Sequence, residues 1–527
     1  MSDARAVKTG KQIVIDPITR IEGHMRVEAV VDGGEVKDAH CCGTLFRGFE
    51  RILVGRYPVD ANRITQRVCG VCPTAHATAS TFCLDEALGL TDKIPENGRI
   101  VRNLILGSNY LQSHILHFFT LAALDYVDVA ALADYDGNEH DLQAVKAFID
   151  RGELAPFFPR YEGDYRCTKE ENVALVRGYL HALHIRRITH EMLAIFGGKM
   201  PHNVAIVPGG VTATVTPDKI SSFAGKLVEV KAFVENVYIP AILTVASRYG
   251  DHFDIGAGCM QYMTYGLFNL DSKTVPAGEK NRMLPPGVIG TDGKLRKFDA
   301  AKITEHVKYS RYDDSCAADP AGGSTYPDPE KAGSYSWIKA PRYDGKPTEV
   351  GPLARVLVAY MSGQPTVKKD VDAVLSATGL SVGKLHSILG RHAARALECR
   401  WACDAMAGWL EELKPGEPAA VPFEIPDESQ GVGLADAPRG AVGHWISIKD
   451  KKIDNYQLVV PTTWNGSPRD ANDVPGPIEQ ALIGTPVRDA ENPFEVVRIV
   501  RSFDPCLACA VHVLTAKGDK IGEYRVV

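Results

Sequence analysis

The chain has 527 residues and a mass of 57.3 kDa, which is too large for one hydrophobic core and predicts several structural units. Hydrophobic residues make up 45% and charged residues 24%, a globular composition that excludes a disordered or collagen-like chain. The net charge of −6 argues against nucleic acid or an anionic membrane surface as a partner. Because the chain lacks both a long uncharged apolar run and an apolar N-terminal segment, we expect neither a membrane span nor an export signal of its own.

The N-terminal part is predicted to form short strands. Residues 25–31 mix apolar and polar side chains in alternation, and Asp32-Gly33-Gly34 is typical of a hairpin turn.

Long helices follow, because Leu, Ile, Val and Ala recur at spacings of three and four residues. Ser381 is a candidate N-cap for the last of them, and residues 414–416 form a stop signal. Residues 250–350 are rich in Gly, Pro, Tyr and Asp and predict irregular strands and loops. A late hairpin is predicted from strands at 445–448 and 456–460. The predicted helices span 74–90, 97–134, 170–197, 219–249 and 381–414.

Together these elements predict an α+β fold that is mainly helical, with a central bundle of long helices and small β-rich subdomains. The predicted units are an N-terminal β-rich unit (1–65), a helical core (66–250), an irregular strand-and-loop insertion (251–370), a helix-and-hairpin unit (371–512) and a C-terminal tail (513–527).

Two matching Cys-x-x-Cys motifs at opposite ends of the chain give the strongest chemical signal. The first hook is residues 69–72, followed by His76, and the second hook is residues 506–509, followed by His512. A two-residue spacer lets both sulfurs of a hook face one point, so the hooks can present four thiolates to one metal. A structural zinc site remains an alternative, although zinc hooks usually lie within one small module.

The residues around the hooks suit the starts of helices. Pro73 and Pro505 are each typical of a first helical turn, and Asp504 is a candidate N-cap. At a helix start, partial positive charge favours the thiolate form of cysteine. A redox metal held by four thiolates can change its oxidation state, which zinc cannot. The other eight cysteines are predicted to be buried small apolar residues.

The motifs resemble the large, catalytic subunit of [NiFe]-hydrogenases over nearly the whole chain. The segments that carry the resemblance are 16–24 (DPITRIEGH), 47–50 (RGFE), the two hooks, 437–440 (APRG) and 460–465 (VPTTWN). The resemblance implies the fold of that subunit and reversible heterolytic cleavage of H2, with an uptake role.

The resemblance also implies a Ni-Fe centre whose iron carries CO and two cyanides. Cys69 and Cys506 would be terminal ligands of nickel, and Cys72 and Cys509 would bridge nickel to iron. Around the centre, the family pattern places five further residues. Arg439 would lie over the open coordination position and donate to a cyanide, Pro438 would shape that pocket, Thr462 would serve the other cyanide, His76 would hydrogen-bond near Cys72, and Asp504 would stand above the metals.

Two further roles are implied by the same resemblance. Glu22 would accept the proton from Cys506, although an isolated glutamate more often caps a helix or pairs with an arginine such as Arg20 or Arg26. Glu50, His512 and the backbone carbonyl of Leu458 would bind magnesium, with iron as an alternative. For Glu50, a solvated ion pair with a neighbouring arginine is the simpler interpretation.

The chain departs from the family pattern at two positions. Ser113 stands where many members have an aspartate above the metals, and Asp436 stands where glutamate is common. The selenium-containing branch has selenocysteine at the position of Cys506, so the cysteine indicates the ordinary type. Residues 513–527 resemble the tail that a maturation endopeptidase removes after His512, once nickel-insertion factors have acted. In the unprocessed precursor, this tail would hold the second hook away from closure.

Partners follow from the same pattern. Once the two hooks are used, no further set of four cysteines remains for an iron-sulfur cluster, so electrons need a small partner subunit that carries such clusters. Membrane contact would come only through partners. The resemblance favours a periplasmic location, with export on a partner's signal, and the cytoplasm is the alternative. A quinone-reductase-type scaffold of the same fold is a competing hypothesis, but such proteins lack the four cysteines.

Overall fold

The computed structural model describes residues 10–152 and 164–510. Its helices are α1 Phe49–Leu53, α2 Asp60–Thr65, α3 Pro73–Ala87, α4 Glu96–Ile115, α5 His140–Asp150, α6 Lys169–Gly197, α7 Pro217–Phe233, α8 Ile239–Arg248, α9 Pro352–Met361, α10 Pro365–Thr378, α11 Ile388–Glu412, α12 Pro461–Asn465, α13 Pro477–Leu482, α14 Phe494–Ser502 and α15 Leu507–Ala510. Its strands are β1 Lys11–Ile15, β2 Met25–Asp32, β3 Glu35–Gly43, β4 Ile206–Val207, β5 Gly210–Val211, β6 Tyr262–Thr264, β7 Leu267–Asn269, β8 Arg282–Leu284, β9 Gly287–Ile289, β10 Leu295–Arg296, β11 Ile303–His306, β12 Ala340–Tyr343, β13 Glu349–Val350, β14 Glu428–Ala437, β15 Gly440–Lys449 and β16 Lys452–Val459. The predicted α+β class is confirmed.

The N-terminal strands β1, β2 and β3 form an antiparallel sheet in sequence order. Buried and partly exposed residues alternate along β2, as expected for a sheet with one face on the core. The predicted turn joins β2 to β3 through Gly33 and Gly34, which both have positive φ. The loop between β1 and β2 carries Glu22, the predicted proton acceptor.

The long helices lie where the periodicity predicts them, but two are interrupted by wider turns. The segment predicted as 97–134 is α-helical only to Ile115 and continues as a π-helix over Leu116–Ala122 and shorter 3₁₀ turns. A second π-helix, Val234–Tyr238, joins α7 to α8 just before Pro240, which has no N–H to donate.

The prediction that Ser381 is the N-cap of the last long helix is wrong. Helix α11 begins at Ile388, and the Ser387 hydroxyl accepts a hydrogen bond from the N–H of Gly390 as its N-cap. Ser381 instead precedes a 3₁₀ turn over Val382–Leu385 and makes no capping hydrogen bond there. The helix ends at Glu412, just before the predicted stop signal.

The late hairpin is confirmed but is longer than predicted. Strands β15 and β16 meet at a two-residue turn, Asp450–Lys451, where both residues have positive φ. Strand β14, which the sequence did not predict, pairs with β15 in register Ala437↔Gly440. Strand β14 also packs on helix α3, so the late sheet lies against the helix that follows the first hook.

The described residues form two main cores. The larger one joins α4, α6, α7, α8, α9 and α11, which are the helical body. The second joins the N-terminal sheet, α3, the late sheet and both hooks.

By length and composition, Pro217–Arg248 could cross a bilayer, but it packs on α6 and α11 of the body as a core helix does. The predicted unit boundaries remain predictions.

Candidate metal centre

The first hook is held by local structure. Cys72 is the N-cap residue of α3 and Pro73 occupies its first turn, as predicted. Cys69 directly follows the 3₁₀ turn Gln66–Val68. The N–H groups of Val71 and Cys72 point back to the Cys69 sulfur at 3.2 and 3.3 Å. The hook is therefore a compact loop that offers its own N–H groups to a thiolate.

The second hook is held by residues that are distant in the sequence. Helix α15 begins only at Leu507, so the prediction that Pro505 lies in its first turn is wrong. Asp504 is not its N-cap either, because Arg439 binds the Asp504 carboxylate and the residue has φ of 56°. The orphan N–H groups are satisfied by distant residues: Thr462 Oγ1 accepts from Cys506 at 2.8 Å.

Glu22 supplies the remaining caps of the second hook. Its backbone oxygen accepts from the N–H of Leu507 at 2.7 Å, and its Oε2 accepts from the N–H of Ala508 at 3.1 Å. This contact is close, since a Cβ on Gly23 would lie 2.7 Å from the Ala508 nitrogen. Gly23 has φ of 79°, so only glycine fits both the turn and the approach.

The four sulfur atoms converge at one point. The Sγ atoms of Cys69, Cys72, Cys506 and Cys509 all lie within 4.8 Å of one another. Cys69 and Cys506 are 3.4 Å apart, Cys72 and Cys509 are 3.4 Å apart, and the four residues are at most 3% exposed. All twelve cysteines are free, and among the other eight only Cys167 departs from the predicted burial, being half-buried.

The donor set fits a soft metal ion. Burial opposes ionisation of Cys69, yet hydrogen bonds from the other three thiols, with Cys506 first, hold the pKa of Cys69 well below its ordinary value. Burial raises the pKa of Cys506 well above its ordinary value. The pocket itself therefore stabilises one thiolate, and further thiolates in so small a space call for a thiophilic cation. Asp504 Oδ2 is also buried with no hydrogen-bond partner among the described residues.

Glu22 touches the sulfur of the second hook. The Cys506 Sγ lies 3.1 Å from Glu22 Oε2, and burial raises the pKa of this carboxyl. Arg20 pairs with Asp125 and Arg26 pairs with Glu28, so Glu22 is not the surface ion pair considered as its simpler role. A carboxyl in this position can exchange a proton with the thiol.

Pro438 and Arg439 form the two-residue turn between β14 and β15, which brings the Arg439 guanidinium to Asp504, two residues before the second hook. Arg439 Nε donates to the backbone oxygen of Asp504, and Nη2 donates to Asp504 Oδ1, each at 2.9 Å. Arg439 Nη1 donates to the Ser113 hydroxyl at 3.3 Å. Arg439 and Asp504 are both nearly fully buried, so they form a fixed charged pair beside the sulfurs.

His76 lies on the first turn of α3 with its ring between the hooks and the late sheet. Its Nε2 is 3.4 Å from the Cys509 sulfur, whereas the resemblance implies a contact near Cys72. Both cysteines are predicted to bridge the metals. Its Nδ1 is 3.3 Å from Nε2 of His444, and His444 Nδ1 is 2.8 Å from the Tyr456 hydroxyl. This line of side chains fixes the orientation of the His76 ring.

Glu50 and Leu458 also meet, away from the sulfurs. Glu50 Oε1 accepts from the N–H of Leu458 at 2.9 Å, and Oε2 accepts from the Thr325 hydroxyl. The carboxylate is buried, so the solvated ion pair considered for Glu50 is wrong. His512, the third predicted magnesium ligand, lies outside the described residues, as does the tail 513–527.

Sequence reasoning missed one residue that joins the two hooks. Arg47 Nη1 donates to the backbone oxygen of Val68 at 2.6 Å and to that of Ala508 at 3.0 Å. One guanidinium therefore ties the first hook to the second. The signal was present in the sequence, because Arg47 opens the 47–50 segment that carried the resemblance.

This geometry defines a buried cluster of four cysteine sulfurs suited to a metal ion in an α+β protein, and comparisons with known proteins identify its family. The sequence model described as nickel-dependent hydrogenase matches residues 47–512, and one described as HoxL-like matches 12–42. The chain belongs to the nickel-dependent hydrogenase large-subunit family and is an oxidoreductase.

The chain is 45% identical to the large subunit of a periplasmic [NiFeSe] hydrogenase from Desulfomicrobium baculatum, covering 98% of this chain and 97% of the relative. It is 38% identical to an uptake hydrogenase large subunit from Bradyrhizobium diazoefficiens, covering 98% of both. The reduced Ni-Fe-Se hydrogenase of D. vulgaris Hildenborough superposes with a TM-score of 0.85 at 45% identity, covering 95% of this chain and 100% of that chain. Position 506 is nevertheless cysteine here.

Proposed function

We propose that this chain is the catalytic subunit of a [NiFe]-hydrogenase that cleaves H2 reversibly and heterolytically into protons and electrons. The observation that carries the proposal is the convergence of four buried cysteine sulfurs within 4.8 Å. Cys69 and Cys506 would be terminal ligands of nickel, and Cys72 and Cys509 would bridge to an iron that carries CO and two cyanides. When bound, this centre supplies the redox change and the polarisation that H2 cleavage requires.

In this proposal Glu22 removes the proton. Its Oε2 is 3.1 Å from the Cys506 sulfur, within the reach of direct transfer. The same oxygen accepts from the N–H of Ala508, which keeps the carboxyl aimed at the sulfur. A partly exposed position of residue 22 gives the proton a short way out of the pocket.

The residues around the sulfurs would hold the diatomic ligands. Arg439 would donate to a cyanide and Pro438 would shape the open side of the pocket, since both lie in the turn that reaches over the hooks. Thr462 would offer its hydroxyl proton to the other cyanide while its oxygen accepts from Cys506. His76 would orient Cys509, and Asp504 would keep Arg439 in place.

A second metal site would fasten the C-terminal segment. Glu50, the Leu458 carbonyl and His512 would hold magnesium, or iron in its place, and the proposal is supported by the burial of Glu50 against Leu458. The tail would be removed by a maturation endopeptidase after His512, following nickel insertion. The family match, which ends at residue 512, supports this boundary.

Electrons would leave through a small iron-sulfur subunit. Within the described residues, the four hook cysteines are the only group of three or more His, Cys, Asp and Glu side chains placed to hold a metal ion. By analogy with the periplasmic and uptake relatives, we propose an uptake enzyme on the periplasmic side, attached to the membrane only through its partners.

Metal analysis and infrared spectroscopy of the matured protein test the proposal. Nickel and iron in comparable amounts, with infrared bands of metal-bound CO and cyanide, are expected in the wild type and in Cys403→Ala, a buried cysteine of the helical body. Cys72→Ser should lose the bands and the H2 oxidation activity. Zinc alone, or an active wild type without such bands, would overturn the proposal.

A further inference from the structure

The turn that presents Arg439 is held from below by one buried arginine on α9. Arg355 Nη1 donates to the backbone oxygen of Ala437, and its Nη2 donates to that of Pro438, each at 3.0 Å. The Arg355 side chain is fully buried. Two consecutive carbonyls directly before Arg439 are therefore fixed by a single rigid guanidinium.

The charge of Arg355 is compensated by two buried carboxylates. Its Nε and Nη2 form a fork with Glu398 at 2.5 and 2.8 Å, and its Nη1 donates to Asp436 Oδ1 at 2.8 Å. Asp436 is the last residue but one of β14, two positions before the turn begins. Such a network is costly to disturb, because removing one member leaves a buried charge without a partner.

The same network reaches the other side of the Arg439 guanidinium. Glu398 Oε2 is 3.0 Å from His114 Nε2 on α4, and the neighbouring Ser113 hydroxyl accepts from Arg439. Arg355 thus fixes the turn that carries Arg439, and through Glu398 it fixes the helix that contacts Arg439 from above.

This support matters more because of Ser113. In the described part of the chain, Asp504 is the only carboxylate within ion-pair distance of Arg439. The serine hydroxyl at position 113 is neutral, so it adds a hydrogen bond but no second charge. The location of the Arg439 guanidinium therefore depends strongly on where its backbone is held.

We propose that Arg355 is a positioning residue for Arg439: its contacts with the Ala437 and Pro438 carbonyls, Asp436 and Glu398 set the distance of the Arg439 guanidinium from the hooks. The inference rests on the proposed function. Loss of the fork would let the turn shift, and misplacement by about 1 Å at a reacting centre can cost about 100-fold in rate.

Arg355→Lys tests the proposal, because lysine keeps the charge but cannot span both carbonyls and both carboxylates. Arg342→Lys is the matched control: Arg342 is equally buried and binds Asp470, the Ser467 hydroxyl and three carbonyls, none of which belongs to the turn of Arg439. At equal nickel and iron content, we expect Arg355→Lys to shift the infrared bands of iron-bound CO and cyanide. It should also lower kcat for H2 oxidation by about 10- to 100-fold with little change in KM.

The control should keep wild-type bands and kcat. Wild-type bands and kcat in Arg355→Lys, or equal changes in both variants, would overturn the positioning role while leaving the proposed function intact. If Arg355→Lys does not take up metal, Asp436→Asn decides by the same readouts, since it removes one charge and keeps the shape. A wild type without nickel or bands would instead contradict the proposed function itself.

Discussion

The two hooks bind the same point but are stabilised in opposite ways. The first hook is followed by a fifteen-residue helix, with Cys72 as N-cap and Pro73 in the first turn, so its neighbours in sequence hold it. The N–H groups of the second hook, by contrast, are satisfied by Glu22 and Thr462, which lie far away in the sequence. The comparison indicates that the second hook depends on segments distant in sequence, whereas the first is held by its own helix.

Glu22→Gln should produce the largest effect, because it removes the proton acceptor while preserving the cap. The glutamine oxygen can still accept from the N–H of Ala508, so nickel and iron should remain bound. Loss of general acid–base catalysis predicts a kcat for H2 oxidation lower by about 100- to 10,000-fold.

The control for this variant is Glu28→Gln, a partly exposed glutamate of β2 that pairs with Arg26. It should keep wild-type activity. A fully metallated Glu22→Gln enzyme with wild-type kcat would show that the proton leaves by another group.

Thr462→Val should loosen the second hook by a smaller amount. The substitution keeps the side-chain shape but leaves the buried N–H of Cys506 without its acceptor, at a cost of about 1–3 kcal/mol. In the metal-free protein, amide hydrogen exchange in the second hook should therefore accelerate by about 5- to 150-fold.

Thr463→Val, next to Thr462 on α12, is the matched control, and the first hook serves as an internal reference. Both should keep wild-type exchange rates. Equal acceleration in the two hooks would contradict the claim that they are stabilised separately.

Pro73→Ala should have the smallest effect. Alanine also fits a first helical turn, so the loss is confined to the restriction of the unfolded chain, at about 1 kcal/mol or less. Metal content and kcat should match the wild type, with a small fall in melting temperature like that of Pro217→Ala at the start of α7. Loss of nickel from Pro73→Ala would mean that the first hook is not held by its helix alone.

Local patterns predicted the parts of the molecule that local forces determine. Helix α6 was placed within one residue at its start, because its periodicity is uninterrupted and glycines end it. The helix start at Pro73 was predicted correctly because proline in a first helical turn is a local signal. Strand β14 was missed because glycines interrupt its pattern; Gly433 is needed there, since a Cβ would lie 1.9 Å from the Ala79 oxygen of α3.

Tertiary contacts decided the positions that the sequence could not. Ser381 and Ser387 have the same capping chemistry, and only packing selects Ser387. Asp504 has a side chain typical of an N-cap, but its carboxylate accepts a hydrogen bond from Arg439 instead. No local pattern marks Arg355, whose partners come from β14, the turn after it and helix α11.

The separation of the hooks along the chain also sets an order of events in the cell. Translation delivers Cys69 and Cys72 early, whereas Cys506 and Cys509 leave the ribosome only after the helical body has been synthesised. The helical body of the nascent chain can therefore fold when only the first hook has been synthesised. Glu22 pairs with Cys506 in a short parallel bridge, so the second hook is also tied to the N-terminal part of the chain. A metal ion that binds all four sulfurs could therefore be enclosed only late in synthesis or after it.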